Sequence, residues 1–217
     1  MMERSYCPLC ARRKPERFCP AKGEKICAVC CGEGREVTID CPSDCTYLIA
    51  AHRYEQEHRP PLAESELPFP TVEFSKQLIY ERQPVLAGLS RIILNSAAER
   101  HELADLDVLA AITALTETYR TLVSGIYYEK PPDSPLAGVL YAALEEFLRN
   151  YKQQESQKLA AAPLKDTEIF HLLVFLARVG RTRTNLRPRS RLFLEFLRAQ
   201  FPSEETRPAE ASRIIIP

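Results

Sequence analysis

The sequence predicts a mostly α-helical protein in which a small cysteine-rich module, a short β-hairpin plus a helix, precedes an all-α bundle. Three observations carry this prediction. All eight cysteines of the 217-residue chain fall before residue 46. A proline-rich, acidic stretch without helical periodicity follows at 60–70. From residue 71 onward, apolar side chains recur at three- and four-residue steps behind a series of helix start signals. The expected organisation is a module at 1–59, a linker or wrapping strap at 60–70, a helical domain at 71–200 and a tail at 201–217.

The cysteines are Cys7, Cys10, Cys19, Cys27, Cys30, Cys31, Cys41 and Cys45. A chain of this length can bury a good core, so they do not compensate for a protein too small to fold. The segment Met1 to Tyr6 lacks the apolar run of a signal peptide, and no stretch approaches eighteen uncharged apolar residues. The expected setting is therefore the reducing cytoplasm without membrane contact, where dense cysteines are metal ligands rather than disulfides. Cys7-Pro8-Leu9-Cys10 and Cys27-Ala28-Val29-Cys30 each place two sulfurs on a tight turn, suited to gripping one tetrahedral ion.

Between these knuckles, Phe18-Cys19-Pro20 and Lys25-Ile26-Cys27 flank a turn containing Gly23, the pattern of a hairpin. Gly32 and Gly34 predict a sharp bend, and the alternation over 35–40 predicts a short strand. A helix then starts near Cys41-Pro42-Ser43-Asp44-Cys45, with Ser43 as its cap, and stops at Arg59-Pro60-Pro61. His52 lies seven residues beyond Cys45, on the same face of that helix. Eight thiolates supply two complete four-ligand sites, so the count predicts two zinc ions held by all eight cysteines, with His52 as an alternative ligand.

Cys7-x2-Cys10, Cys27-x2-Cys30 and Cys41-x3-Cys45-x6-His52 resemble the ligand pairs of cross-brace zinc fingers of the MYND and HIT type. The match covers about a quarter of the chain. The resemblance implies a two-zinc protein-interaction module. It also implies that Cys7 and Cys10 join Cys41 and Cys45, leaving Cys27 and Cys30 to pair among Cys19, Cys31 and His52. A dithiol redox role fits less well, because these residues form no βαβ unit.

Six helices are expected after the strap, at roughly 72–82, 84–100, 105–129, 134–155, 166–181 and 190–200, started by Thr71, Asp105, Ser134-Pro135, Asp166 with Glu168, and Ser190. Leu106, Leu109, Ala110, Ile112, Thr113 and Leu115 form one predicted core stripe, and Leu140, Leu144, Phe147 and Leu148 another. The helix around 169–176 is apolar nearly all round and should be central, with His171 a hydrogen-bonded core histidine. Tyr119, Tyr127 and Tyr128 are read as packing at the end of a long helix, with a partner-facing groove as the alternative. Glu99, Glu102, Asp105 and Asp107 are read as a solvated helix end and cap.

Twenty-nine basic residues balance twenty-nine acidic ones. That balance argues against a protein whose main work is coating nucleic acid. Residues 1–60 carry ten Lys/Arg and nine Asp/Glu, and eight thiolates with two Zn²⁺ bring the module to about −3. Arginine is concentrated instead at 178–198, where Arg178, Arg181, Arg183, Arg187, Arg189, Arg191 and Arg198 face the single acid Glu195. Arg178 and Arg181 suit the last turn of a helix. Arg183, Arg187, Arg189 and Arg191 either form a solvated surface that keeps the bundle soluble or are offset by an anion: the strap acids Glu64 and Glu66, an external phosphate or an acidic partner. No Gly-rich phosphate loop, nucleophile elbow or His-Glu-x-x-His motif is present. The leading expectation is thus a zinc-binding, non-enzymatic adaptor with a protein partner. A nucleic-acid-associated protein using the arginine segment is the alternative, and an enzyme of unrecognised class a third.

Overall fold

The structure, a computed structural model, describes residues 6–157 and 163–202. The described chain is mostly helical, with a single two-stranded sheet at its N-terminal end. Strand β1 (Arg17–Cys19) pairs antiparallel with β2 (Glu24–Ile26), Phe18 opposite Lys25. Gly23 closes the hairpin at φ +67°, a left-handed conformation that glycine adopts without a Cβ penalty. Helix α1 (Ala28–Gly34) follows directly, then α2 (Thr46–His58), which ends at the Arg59-Pro60 stop.

The remaining helices are α3 (Lys76–Glu81), α4 (Gln83–Glu99), α5 (Asp105–Val123), α6 (Pro135–Ser156), α7 (Asp166–Arg183) and α8 (Leu192–Gln200). Helix α5 is the hub, packed against α6, α7 and α8, while α4 packs on α6 and α8. Leu89 and Ile93, Ile112 and Leu115, Leu144 and Leu148, Leu172 and Leu173, and Phe193 are all fully buried where these helices meet. No helix among the described residues is long and apolar enough to cross a membrane.

Start signals explain several boundaries. Ser134 Oγ accepts the Ala137 N–H ahead of α6, and Glu168 accepts the Lys165 N–H at the start of α7. Other boundaries depart from expectation. Helix α5 ends at Val123 rather than 129, because Gly125 turns at φ +82°. Ile126, Tyr127 and Tyr128 consequently lie in an exposed loop instead of packing on a helix end. The core stripe of α5 is Val108, Ala111, Ile112, Leu115 and Tyr119, leaving Leu106 and Thr113 on the solvent side. His171 is half-buried beside the Phe170 ring at the edge of α7.

Asp105 is the largest local revision, since its carboxylate is fully buried instead of solvated. It accepts the Phe193 and Leu194 N–H groups at 3.0 and 3.2 Å and the Ser190 hydroxyl at 3.0 Å. It therefore caps α8 from the first residue of α5. Arg178 is also not in a last turn, because α7 runs on to Arg183. Its guanidinium donates to the carbonyls of Pro68, Phe69 and Val72 and lies 5.2 Å from the Phe74 ring centroid. This binds the 68–74 segment to α7, with Phe69 and Phe74 set edge-on to Phe170 and Phe175.

Candidate metal centre

The first knuckle is a backbone turn in which the Ala11 N–H donates to the Cys7 carbonyl at 2.7 Å, and the Cys7 N–H to the Arg13 carbonyl at 2.7 Å. The second knuckle is the start of α1. Cys27 is its N-cap, the Sγ atom accepting the Cys30 N–H at 3.4 Å. The Cys27 N–H in turn donates to Cys7 Sγ at 3.3 Å, stitching the two knuckles together. The Sγ atoms of Cys7, Cys10, Cys27 and Cys30 all lie within 4.8 Å of one another. Two x2 pairs thus supply four soft ligands on a scale that suits one tetrahedral ion.

These thiols perturb one another strongly. The Arg12 and Arg13 backbone N–H groups lower the Cys10 pKa to about 6. Burial pushes Cys7 up, but the N–H donors of Cys27, Leu9 and Cys10 outweigh it and leave it below the ordinary thiol value. Cys30 is raised to about 12, first by its hydrogen bond to Cys27 and then by burial. Such a cluster sheds its first proton readily and holds its last, and a divalent cation resolves that conflict by replacing the protons.

The pairing differs from the cross-brace scheme, because Cys7 and Cys10 meet Cys27 and Cys30 rather than Cys41 and Cys45. The hairpin is the reason: by pairing Arg17 with Ile26 it returns the chain to the first knuckle within ten residues. Cys19 and Cys45 are buried, while Cys31 and Cys41 are half-buried. Among the described residues these four form no second group of comparable closeness. Burial raises the Cys41 thiol, with the neighbouring Cys45 and Cys19 adding to that shift. His52 lies apart from the four-thiol group, its Nε2 being 3.0 Å from Glu36 Oε2.

The expected strand at 35–40 is instead a tight loop. The carbonyl of Gly34 accepts the N–H groups of Val37, Thr38 and Ile39, and Glu36 takes φ +53°. A Cβ on Gly34 would come within 2.9 Å of Ile39 Cδ1 and 3.0 Å of Thr38 Oγ1, so a larger residue would have to displace those side chains. Glu36 is only 3 % exposed and faces the bundle. Its carboxylate accepts from Asn185 Nδ2 at 2.8 Å, and its carbonyl accepts the Arg189 N–H at 2.8 Å.

The arginine segment therefore has intramolecular partners, and they are acids of the module, not Glu64 and Glu66 of the strap. Arg187 pairs with Glu55 at 2.7 Å, Arg191 with Asp40 at 2.6 Å, and Arg189 lies 3.9 Å from Asp40. Arg183 stacks over Phe196, and Arg59 donates to the Thr184 carbonyl at 2.6 Å. Glu66 is occupied with the Ala63 N–H. Glu36, Asp40 and Glu55 escaped the sequence reading. The available signal was charge segregation, since residues 28–59 carry six acids and three Lys/Arg.

Comparison with protein-family models, with curated proteins and with solved structures found no match.

Proposed function

We propose that this protein is a zinc-binding, non-enzymatic interaction protein in which the metal shapes an N-terminal finger and the helical bundle supports it. The observation that carries this reading is the four-thiol group of Cys7, Cys10, Cys27 and Cys30. Four thiolates favour zinc over the hard, oxygen-seeking cations, and a closed set leaves no coordination position for substrate. Cys19, Cys31, Cys41 and Cys45 are the ligands of a second zinc. They sit on the end of β1, on α1 and on both sides of the turn into α2, so one ion would tie those elements together. A reducing cytoplasm suits both sites, and the exposed knuckle side chains Leu9 and Val29 suit a protein partner.

Elemental analysis of protein purified under reducing conditions without chelator tests this. About two zinc ions per chain supports the full reading, and one supports the first site alone. A value near zero, with eight titratable thiols, overturns it. Cys7→Ser and Cys45→Ser should each remove one zinc equivalent if the two sets are separate sites.

A further inference from the structure

The finger is electrically divided. Residues 6–27 contain Arg12, Arg13, Lys14, Arg17, Lys22 and Lys25 with only Glu16 and Glu24, whereas residues 28–59 are acidic. Three of the six acids in that second half, Glu36, Asp40 and Glu55, face the bundle's arginines. The basic half contains the hairpin.

Within that half, two arginines have local roles. The Cys27 and Cys10 thiols favour the charged form of Arg13, and Arg17 lies over the Tyr47 ring at 4.8 Å. Arg12, Lys14 and Lys22 are exposed, and among the described residues no carboxylate lies within ion-pair distance of any of them. Lys14 leads into β1 and Lys22 sits in the hairpin turn, where its N–H donates to the Cys19 carbonyl at 3.1 Å. Between them the hairpin alternates. Cys19 and Ile26 turn inward and are buried, which puts Phe18 and its cross-strand partner Lys25 on the outer face. Phe18 is 55 % exposed, an aromatic ring standing on a rigid hairpin with cations before and after it in the chain.

We propose that this hairpin, through the exposed Phe18 and the flanking cations Arg12, Lys14 and Lys22, binds single-stranded nucleic acid. An exposed ring on a short hairpin, with the unpaired cations Lys14 and Lys22 each four residues from it in the chain, has the chemistry of a base-stacking platform with phosphate contacts on either side. Lysine supplies much of the charge, and lysine is depleted in the cores of protein–protein interfaces. The proposal goes beyond the zinc reading and moves phosphate contact away from the 178–198 segment.

The test uses full-length protein of measured zinc content, with fluorescein-labelled oligothymidylate and oligouridylate of about 12 nucleotides and a duplex of the same length. Anisotropy should show single-strand binding that weakens as salt rises and exceeds duplex binding. Phe18→Ala should weaken it by roughly 5- to 100-fold, while Phe18→Trp retains it. Replacing Arg12, Lys14 and Lys22 together with glutamine should reduce the slope of log affinity against log salt by about 2. Zinc content and helical circular dichroism should be unchanged in each variant, because all four side chains are exposed. Zinc-loaded protein that binds neither strand overturns the proposal and leaves the zinc reading standing. Binding unaffected by both sets of substitutions also overturns it. Equal competition by polyglutamate would assign the face to acidic protein segments instead.

Discussion

Asp40 Oδ1 lies 2.6 Å from Arg191 Nη1, joining the loop before Cys41 to the residue that precedes α8. Around this contact, Arg189 reaches Glu36 through the backbone and Arg187 reaches Glu55 through its side chain. The finger and the last interhelical loop thus form one hydrogen-bonded junction. Over it lies a cleft of about 280 Å³ bordered by Asp40, Cys41, His101 and Glu195.

Replacing Arg187, Arg189 and Arg191 together with glutamine should lower unfolding stability by about 1–3 kcal/mol, since each pair is partly exposed and individually modest. Urea denaturation measures it. Oligonucleotide binding should be unchanged; its selective loss would return phosphate recognition to this segment.

Metal removal should loosen the finger before the bundle. The core of α4 to α8 contains no cysteine, so helical circular dichroism should largely survive chelation. Hydrogen exchange at the Arg189 amide, whose acceptor is the Glu36 carbonyl, should accelerate. Protection retained there after complete zinc loss would mean that the 34–39 loop holds its shape without metal.

Asp105→Ala should cost about 2 kcal/mol, because it orphans the Phe193 and Leu194 N–H groups while relieving a buried charge. Burial raises the Asp105 pKa above its ordinary 3.8, although the Phe193 N–H, the Thr184 hydroxyl and the Leu194 N–H oppose that shift. A raised carboxyl pKa gives stability that is fully present below the unfolded value and is lost as pH rises through the folded one. The stability of wild type relative to Asp105→Asn should therefore fall as pH rises from below about 4 toward neutrality. Thermal melts of both proteins across that range provide the comparison.

Gly88→Ala should destabilise by about 1–3 kcal/mol. A Cβ at Gly88 would fall 2.1 Å from Phe147 Cζ, forcing apart α4 and α6 or displacing a ring packed against Tyr151. The paired change Gly88→Ala with Phe147→Leu should recover part of the loss if the ring is the obstacle.

Local chemistry explains which features were legible in the sequence. Gly23 marked the hairpin turn, and Ser134-Pro135 and the Asp166/Glu168 pair marked helix starts, because each acts within four residues of itself. Paired x2 spacing marked the knuckles for the same reason. Helix α1 was hidden because its cap is a cysteine sulfur and its end is glycine-rich, a composition that predicts a bend. Ser190 signals a local cap and accepts the Leu192 N–H at 3.4 Å, but its hydroxyl also donates to a carboxylate 85 positions away. The arginine segment left an anionic partner as one of its readings, but its partners depend on how the finger folds back over the bundle, which no local pattern encodes.

The Asp40–Arg191 contact spans 151 positions, which sets an order of assembly during synthesis. At ~5–20 residues per second, the finger leaves the ribosome roughly 8–30 s before the arginines that receive it. Through that interval the hairpin and the knuckles must hold the 34–45 segment in shape without the bundle, with the Glu36 carboxylate reaching His52 but not yet Asn185. A nascent chain short of zinc would present loose thiols and an unformed acidic loop to a nearly finished bundle. On the zinc reading proposed above, metal supply during translation would then bear on whether the module docks, while the bundle folds around its own cysteine-free core.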